Sequence, residues 1–179
     1  MSDQYMVWLD LEMTGLELEP NRIIEIAVLV TDANLEVVAE GPNIAIYQDQ
    51  AFLDQMDEWN QTTHKETGLI SRVQQSSVSN AQAEQKVLEF LKSLNIKPET
   101  LPLCGNSIWQ DRRFLAAYMP ELAAFFHYRN IDVSTIKELA KRWYPELYAG
   151  FSKKGSHRAL DDVYESIAEL KYYRQAIAG

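Results

Sequence analysis

Only one of the 179 residues is cysteine, Cys104. An intramolecular disulfide and a cysteine-built metal cluster are excluded, a reducing compartment is suited, and a buried thiol on a strand is the plain expectation. Glycine and proline number 7 and 6, too few for a linker array or a collagen-like chain. No apolar stretch approaches the roughly 18–20 residues of a membrane span. The start, Met1 to Gln4, does not open a basic-then-apolar leader. A cytoplasmic protein with no membrane partner is expected, in which the Asn60-Gln61-Thr62 sequon carries no meaning. Repeats and low-complexity tracts are also lacking, so one domain over residues 1–179 is expected.

Basic charge is the other shortage. Lys and Arg total 17 against 26 Asp and Glu, a net charge of -9, which argues against a stable long nucleic-acid partner bound by counterion release. It does not exclude nucleic-acid chemistry. The deficit is uneven: residues 1–60 hold 13 acidic residues and one basic residue, Arg22, whereas residues 61–179 hold 13 acidic and 16 basic.

What the chain does contain begins with three apolar, β-type runs over residues 5–11, 22–31 and 35–47, parted by turn residues. The spacing predicts an antiparallel meander. Helical periodicity follows over residues 81–94, then a short strand over 100–104. Ser107-Ile-Trp-Gln110 and Thr135-Ile-Lys-Glu138 have the form of capping boxes, predicting helices that open there and stop at Pro120 and near Pro145. A last helix opens around 158–160 with Leu160, Val163, Tyr164, Ile167 and Leu170 as its buried stripe. A mixed β-sheet flanked by α-helices, an α/β fold, satisfies this order.

Asp10 and Glu12 stand two apart at the end of the first run, and a period of two sends both side chains to one face. Like charges that close repel unless a cation sits between them, and oxygen ligands suit Mg²⁺ or Mn²⁺. The plainer alternative is a solvated strand end. Asp111 lies in the first turn of the helix at Ser107, where an acidic residue commonly complements the dipole. His157 follows a basic, flexible segment, Lys153-Lys154-Gly155-Ser156, and precedes Asp162 by five residues. Such a loop can carry a histidine into a site while the helix fixes the carboxylate; Asp161 reads as its solvated neighbour. Four carboxylates and a histidine are the set that two-metal phosphodiester hydrolysis requires, provided they converge.

Asp10-Leu-Glu12-Met-Thr-Gly-Leu16, Gly105-Asn-Ser-Ile-Trp-Gln-Asp111-Arg-Arg-Phe-Leu115 and His157-Arg-Ala-Leu-Asp-Asp162 resemble, in order, the three motifs of the DEDD exonucleases in their histidine-bearing branch. Arg22-Ile-Ile-Glu-Ile-Ala27, Phe126-His-Tyr-Arg129 and Asp132-Val-Ser-Thr-Ile-Lys-Glu-Leu139 resemble the members of that branch that act on very short RNA. The resemblance runs from about Tyr5 to Tyr173, but carries nothing over for Leu35 to Asp57 or Ile70 to Thr100. It implies a ribonuclease H-like fold and a 3′-to-5′ exoribonuclease that degrades oligoribonucleotides down to dinucleotides with two divalent cations, Mn²⁺ or Mg²⁺. Asp10, Glu12 and Asp162 would bind metal directly, Asp111 would bind the second ion, and His157 would be the general base.

The resemblance also implies substrate contacts. Leu16 would wedge against bases, and Trp59 and His64 would stack on or contact the substrate, although by pattern alone Trp59 reads as core. Ser107, Arg129, Ser134 and Thr135 would hold a 5′ phosphate; Ser134 and Thr135 would equally serve as helix caps. Tyr128 would reach into the partner's site across a homodimer, with a buried dimer residue as the alternative. Trp109 has no implied role. Two rivals stay open: the same chemistry on longer chains, as in proofreading or RNA trimming, and a silent binding module. The basic surplus after residue 60 includes Arg129, Lys153, Lys154 and Arg158, which suggests a phosphate side opposite a metal side.

Overall fold

The computed structural model describes residues 4–153 and 155–178. Met1 to Asp3 of the leader reading, and Lys154 beside the histidine, lie outside them. The chain runs β1 (Met6–Met13), β2 (Ile23–Thr31), β3 (Val37–Ala45), α1 (Gln50–Asp54), α2 (Glu58–Glu66), α3 (Leu69–Gln75), α4 (Asn80–Ser93) and β4 (Leu103–Gly105). It continues through α5 (Ile108–Tyr118), α6 (Pro120–Phe125), β5 (Asn130–Asp132), α7 (Val133–Trp143), α8 (Pro145–Ala149) and α9 (Ala159–Ala178). The sheet order is β3-β2-β1-β4-β5. The first three strands form the expected antiparallel meander, and β4 and β5 add in parallel.

Strand alternation divides β1 between two cores. Val7, Leu9, Leu11 and Met13 pack with Val87 and Leu91 of α4, Phe114 and Leu115 of α5 and Leu122 of α6. Trp8 faces the other way, with Ala27 and Leu29 of β2, Val133 of α7 and Val163 and Ile167 of α9. Asp10 and Glu12 share the parity of Trp8 and therefore face α9. A third cluster, Ile24, Leu53, Met56, Leu69 and Val73, seats α1 and α3 on β2. β2 is buried along its whole length, and Cys104 is buried in β4, where loss of solvent pushes its thiol up.

Three local expectations fail. Ser107 forms no capping box: it adopts a left-handed conformation, φ 48, with no capping bond from its side chain. Its backbone N–H donates to Asp132 Oδ1 at 2.9 Å and to Ser134 Oγ at 2.8 Å, tying the starts of α5 and α7 together. Thr135 lies inside α7, whose cap is Asp132, accepting from the Ser134 N–H. On α9 the buried face includes Ser166, Glu169 and Tyr173, whereas Tyr164 is exposed and donates to Glu40. A capping box does form at Ser79 and Gln82, before α4.

Candidate active site

β4 pairs with β1 through Val7 and Trp8 only, so the last part of β1 has one edge without a strand beside it. The first turn of α5 occupies that edge. Asp111 is buried there and its Oδ1 accepts the Leu11 N–H at 2.9 Å, a strand donor that would otherwise lack a partner. Gly105 makes the approach possible: a Cβ there would lie 2.9 Å from the Leu9 carbonyl oxygen and 2.8 Å from Ile108 Cδ1. From the α9 face comes Asp162. Carboxylate oxygens of Asp10, Glu12 and Asp162 all lie within 4.8 Å of one another. Three elements thus deliver four carboxylates to the carboxyl end of one strand, where open α/β sheets place their ligands.

Crowding of like charges away from water sets the chemistry. Burial, then Asp111, Glu12, Asp162 and Glu25, push the Asp10 carboxyl well above the carboxylate range. Glu12 is raised to about 8 by burial and then by Asp162, Glu25 and Asp111. Burial raises Asp111 to about 7 against the pull of the Leu11 N–H. Asp162 rises to about 6 through burial and Glu165, with His157 and Lys153 opposing. Such a set holds protons or cations. Its donors are hard oxygens without sulfur, which fits Mg²⁺ or Mn²⁺.

His157 stands in the segment before α9 with φ 53, and its ring meets Trp59 edge-on at 5.3 Å. Trp59 itself is 59% exposed, against the core reading. It shares a cavity of about 580 Å³ with Thr14, Gly15, Leu16, Asn21 and Asn60. Leu16 is 73% exposed at the rim, and its carbonyl accepts from Gln110 Nε2 of α5. Arg22, the lone basic residue of the first 60, ties down this loop by donating to the Pro20 and Asn21 carbonyls and to Tyr118 Oη. His64 is not at the surface: it is buried, with Nε2 donating to the Met13 carbonyl at 3.2 Å. Its Nδ1 has no partner among the described residues, and burial lowers its pKa.

Across α5, Ser107 Oγ and Ser134 Oγ lie 3.1 Å apart, and Ser134 Oγ–H donates to Asn106 Oδ1 at 3.0 Å. Thr135 and Arg129 are exposed nearby in sequence; the Arg129 guanidinium lies 5.4 Å from the ring of Tyr128. Tyr128 is 73% exposed. Two of the basic residues around the histidine are engaged elsewhere: Lys153 Nζ lies 2.9 Å from Glu169 Oε2, and Arg158 donates to the Thr67 carbonyl. Asp161 is more than a solvated neighbour, since its Oδ2 accepts from Ser156 Oγ at 3.0 Å. Trp109 is exposed, with the Arg113 guanidinium 5.7 Å from its ring.

The RNase_T exonuclease family matches residues 7–170. A protein named oligoribonuclease in Alcanivorax borkumensis is 59% identical over 170 residues, covering 95% of this chain and 93% of that one. Another of the same name in Thiobacillus denitrificans is 57% identical over 175 residues, covering 98% and 96%. The chain belongs to the oligoribonucleases of the exonuclease family. Among solved structures, exonuclease I from Methylocaldum szegediense has a TM-score of 0.69 at 16% identity, over 96% of this chain and 40% of that one. Escherichia coli exonuclease I in complex with a dT13 oligonucleotide gives 0.69 at 16%, over 96% and 41%. Such likeness is one of fold, the ribonuclease H-like mixed sheet, and this chain spans about two fifths of the length of those exonuclease I chains.

One residue of this exonuclease centre escaped the motif reading. Glu25, opposite Glu12 on β2, is buried. Its Oε1 accepts from Arg72 Nη1 at 2.6 Å, and its Oε2 accepts the Ala159 N–H at 3.2 Å. It therefore caps the start of α9, the helix that carries Asp162. The signal was present: a lone carboxylate within the apolar run Ile23 to Val30 demands a buried partner.

Proposed function

We propose that this exonuclease hydrolyses very short RNA from the 3′ end, down to dinucleotides, at the centre built from Asp10, Glu12, Asp111 and Asp162. The observation that carries the reading is the convergence of Asp10, Glu12 and Asp162, with oxygens within 4.8 Å of one another, in a chain whose nearly full-length relatives are named oligoribonuclease. Those three carboxylates would hold one cation, and Asp111, one of whose oxygens is occupied by the Leu11 N–H, would offer the other to a second. When bound there, two divalent cations, Mn²⁺ or Mg²⁺, would supply the positive charge that makes a water more acidic and offsets charge on the leaving oxygen. His157 takes the proton of the attacking water on a ring nitrogen. The water oxygen bonds to phosphorus, the bond from phosphorus to the O3′ of the preceding nucleotide breaks, the O3′ takes up a proton from solvent to leave a hydroxyl, and the terminal nucleotide leaves as a monophosphate.

The surrounding residues set substrate length. Trp59 and Leu16 take the bases, and stacking on Trp59 is sequence-tolerant, as mixed dinucleotides require. His64, buried with its Nε2 on the Met13 carbonyl, supports the Leu16 loop from beneath and does not meet the bases. Ser107, Ser134, Thr135 and Arg129 hold the 5′ phosphate with hydroxyls and a guanidinium, so a substrate of two nucleotides spans the site from cap to cleavage point. Tyr128 reaches into the partner's site in a homodimer. The exposed Leu139, Trp143 and Tyr144, which border a groove of about 460 Å³ with Leu147 and Ala176, support such an interface. Incubating 5′-labelled RNAs of graded length with the protein and Mn²⁺ tests the proposal. Mononucleotides should appear fastest from dinucleotides and not at all with chelator; equal rates on long and short RNA would overturn the short-substrate reading.

A further inference from the structure

Glu169 on α9 is as buried as Glu25 yet lies outside the carboxylate centre. A carboxylate is kept from water at a cost unless it is paired and hydrogen-bonded, and this one is paired with three separate segments. Its Oε2 lies 2.9 Å from Lys153 Nζ and accepts from Asn106 Nδ2 at 3.1 Å, while Oε1 lies 3.8 Å from Lys137 Nζ. Lys153 belongs to the segment that leads to His157. Asn106 and Lys137 flank the serine pair: the side-chain Oδ1 of Asn106 accepts from Ser134 Oγ at 3.0 Å, and Lys137 stands one turn along α7 from Ser134.

The histidine segment is laid along α9 by two more carboxylates at one-turn intervals. Asp161 accepts from Ser156 Oγ at 3.0 Å, and Glu165 accepts the Gly155 N–H at 3.3 Å. Asp161, Glu165 and Glu169 thus form a ladder that the segment descends as it runs back from His157 to Lys153. Glu169 is the rung that also reaches Asn106, whose side-chain oxygen accepts from Ser134 Oγ. The two links meet on one atom, because the Asn106 amide and the Lys153 ammonium share Oε2.

We infer that Glu169 is a positioning residue that couples the 5′-phosphate cradle to the segment bearing His157, so that a filled cradle sets the histidine for hydrolysis. The inference rests on the proposed role of Ser107 and Ser134 as phosphate ligands. A phosphate drawn onto the Ser134 hydroxyl competes with Asn106 Oδ1 for that donor. Asn106 then re-seats against Glu169, and Lys153 follows because it holds the same oxygen. The 5′ phosphate accordingly raises kcat as well as lowering KM.

The test is kcat and KM for a 5′-phosphorylated and a 5′-hydroxyl dinucleotide, with Mn²⁺, for the unaltered protein, Lys153→Met and Glu169→Gln. Lys153→Met cuts the link to the histidine segment, leaving Asn106 and Lys137 on Glu169, and it carries the test where Glu169→Gln fails to fold; the charge it also removes from beside Asp162 acts on both substrates alike and drops out of their ratio. The kcat advantage conferred by the 5′ phosphate should fall by about tenfold, the size of an ordinary coupling between sites, while its KM advantage persists. An equal loss of kcat on both substrates, or an unchanged kcat advantage, overturns the coupling and leaves the cradle standing. If the unaltered protein is indifferent to the 5′ phosphate, the cradle falls and the coupling with it.

Discussion

Adding Mg²⁺ to the metal-free protein at pH 7 is expected to release protons into the buffer. Glu12 is held at about 8, Asp111 at about 7 and Asp162 at about 6 by burial and by one another. At pH 7 such groups carry ~0.9, ~0.5 and ~0.1 of a proton, roughly 1.5 between them before Asp10 is counted. Cations displace those protons. Titration calorimetry in buffers of different ionisation enthalpy reads the number directly as a slope, and the slope should shrink by nearly one proton between pH 7 and pH 9 as Glu12 empties. Linkage then requires affinity for Mg²⁺ to rise at least about 30-fold per pH unit around pH 7. Stability moves the opposite way without metal. A carboxyl raised in the folded state binds more protons there than in the unfolded chain, so its contribution is complete below the ordinary value and is lost as pH climbs through about 8 for Glu12. Tm of the metal-free protein should fall between pH 5 and 8, and the gain from Mg²⁺ should be largest at pH 8. A slope near zero at pH 7, with affinity flat in pH, would show the carboxylates already ionised and refute the crowding argument.

Three substitutions separate chemistry, backbone and binding. Asp162→Asn should cut turnover by at least ~100-fold, yet removing one of several repelling charges should leave the metal-free Tm unchanged or higher by circular dichroism. Gly105→Ala forces a methyl against the Leu9 carbonyl oxygen at 2.9 Å; a cost of about 1–3 kcal/mol is expected, read as a Tm lower by several degrees, with activity lost because Asp111 shifts from Leu11. Trp59→Ala removes an exposed ring and should leave Tm in place, while the loss of ~1–3 kcal/mol of stacking lowers kcat/KM for dinucleotides by ~5- to 150-fold.

The parts of this site that follow from local rules were legible in the sequence, and those that depend on distant partners were not. Period two places Asp10 and Glu12 on one face because pleating is local. The arrival of Asp162 beside them depends on α9 crossing the β1–β2 face, which no spacing within His157 to Asp162 encodes, so only the family resemblance supplied it. Ser107 had the form of a cap, but Asp132 and Ser134, 25 and 27 residues away, take its N–H instead. Trp59 is similar: helical patterning favours burying a tryptophan, whereas α2 leaves it beside His157. Glu25 was visible as an anomaly in an apolar strand, but its partners, Arg72 and Ala159, lie 47 and 134 residues on.

The uneven charge of the chain takes its meaning from these pairings. Three acidic residues of the first third are met by the later, more basic part: Glu36 by Lys171 at 2.8 Å, Glu40 by the Tyr164 hydroxyl at 2.5 Å, and Glu25, at the edge of the centre, by Arg72 at 2.6 Å. Lys153 and Lys137 turn inward to Glu169, and Arg142 pairs with Glu138. Five basic residues of 61–179, Arg72, Lys137, Arg142, Lys153 and Lys171, are therefore engaged with carboxylates within the fold and are not free to line a track for long RNA. A long polyanion gains little from such a surface, because its affinity grows with the number of phosphates it can place on free cations. A dinucleotide gains as much as any longer chain does, since what it needs is one cradle, one stacking surface and one metal centre, and the centre's own negative charge attracts the ions that make the substrate's phosphate welcome.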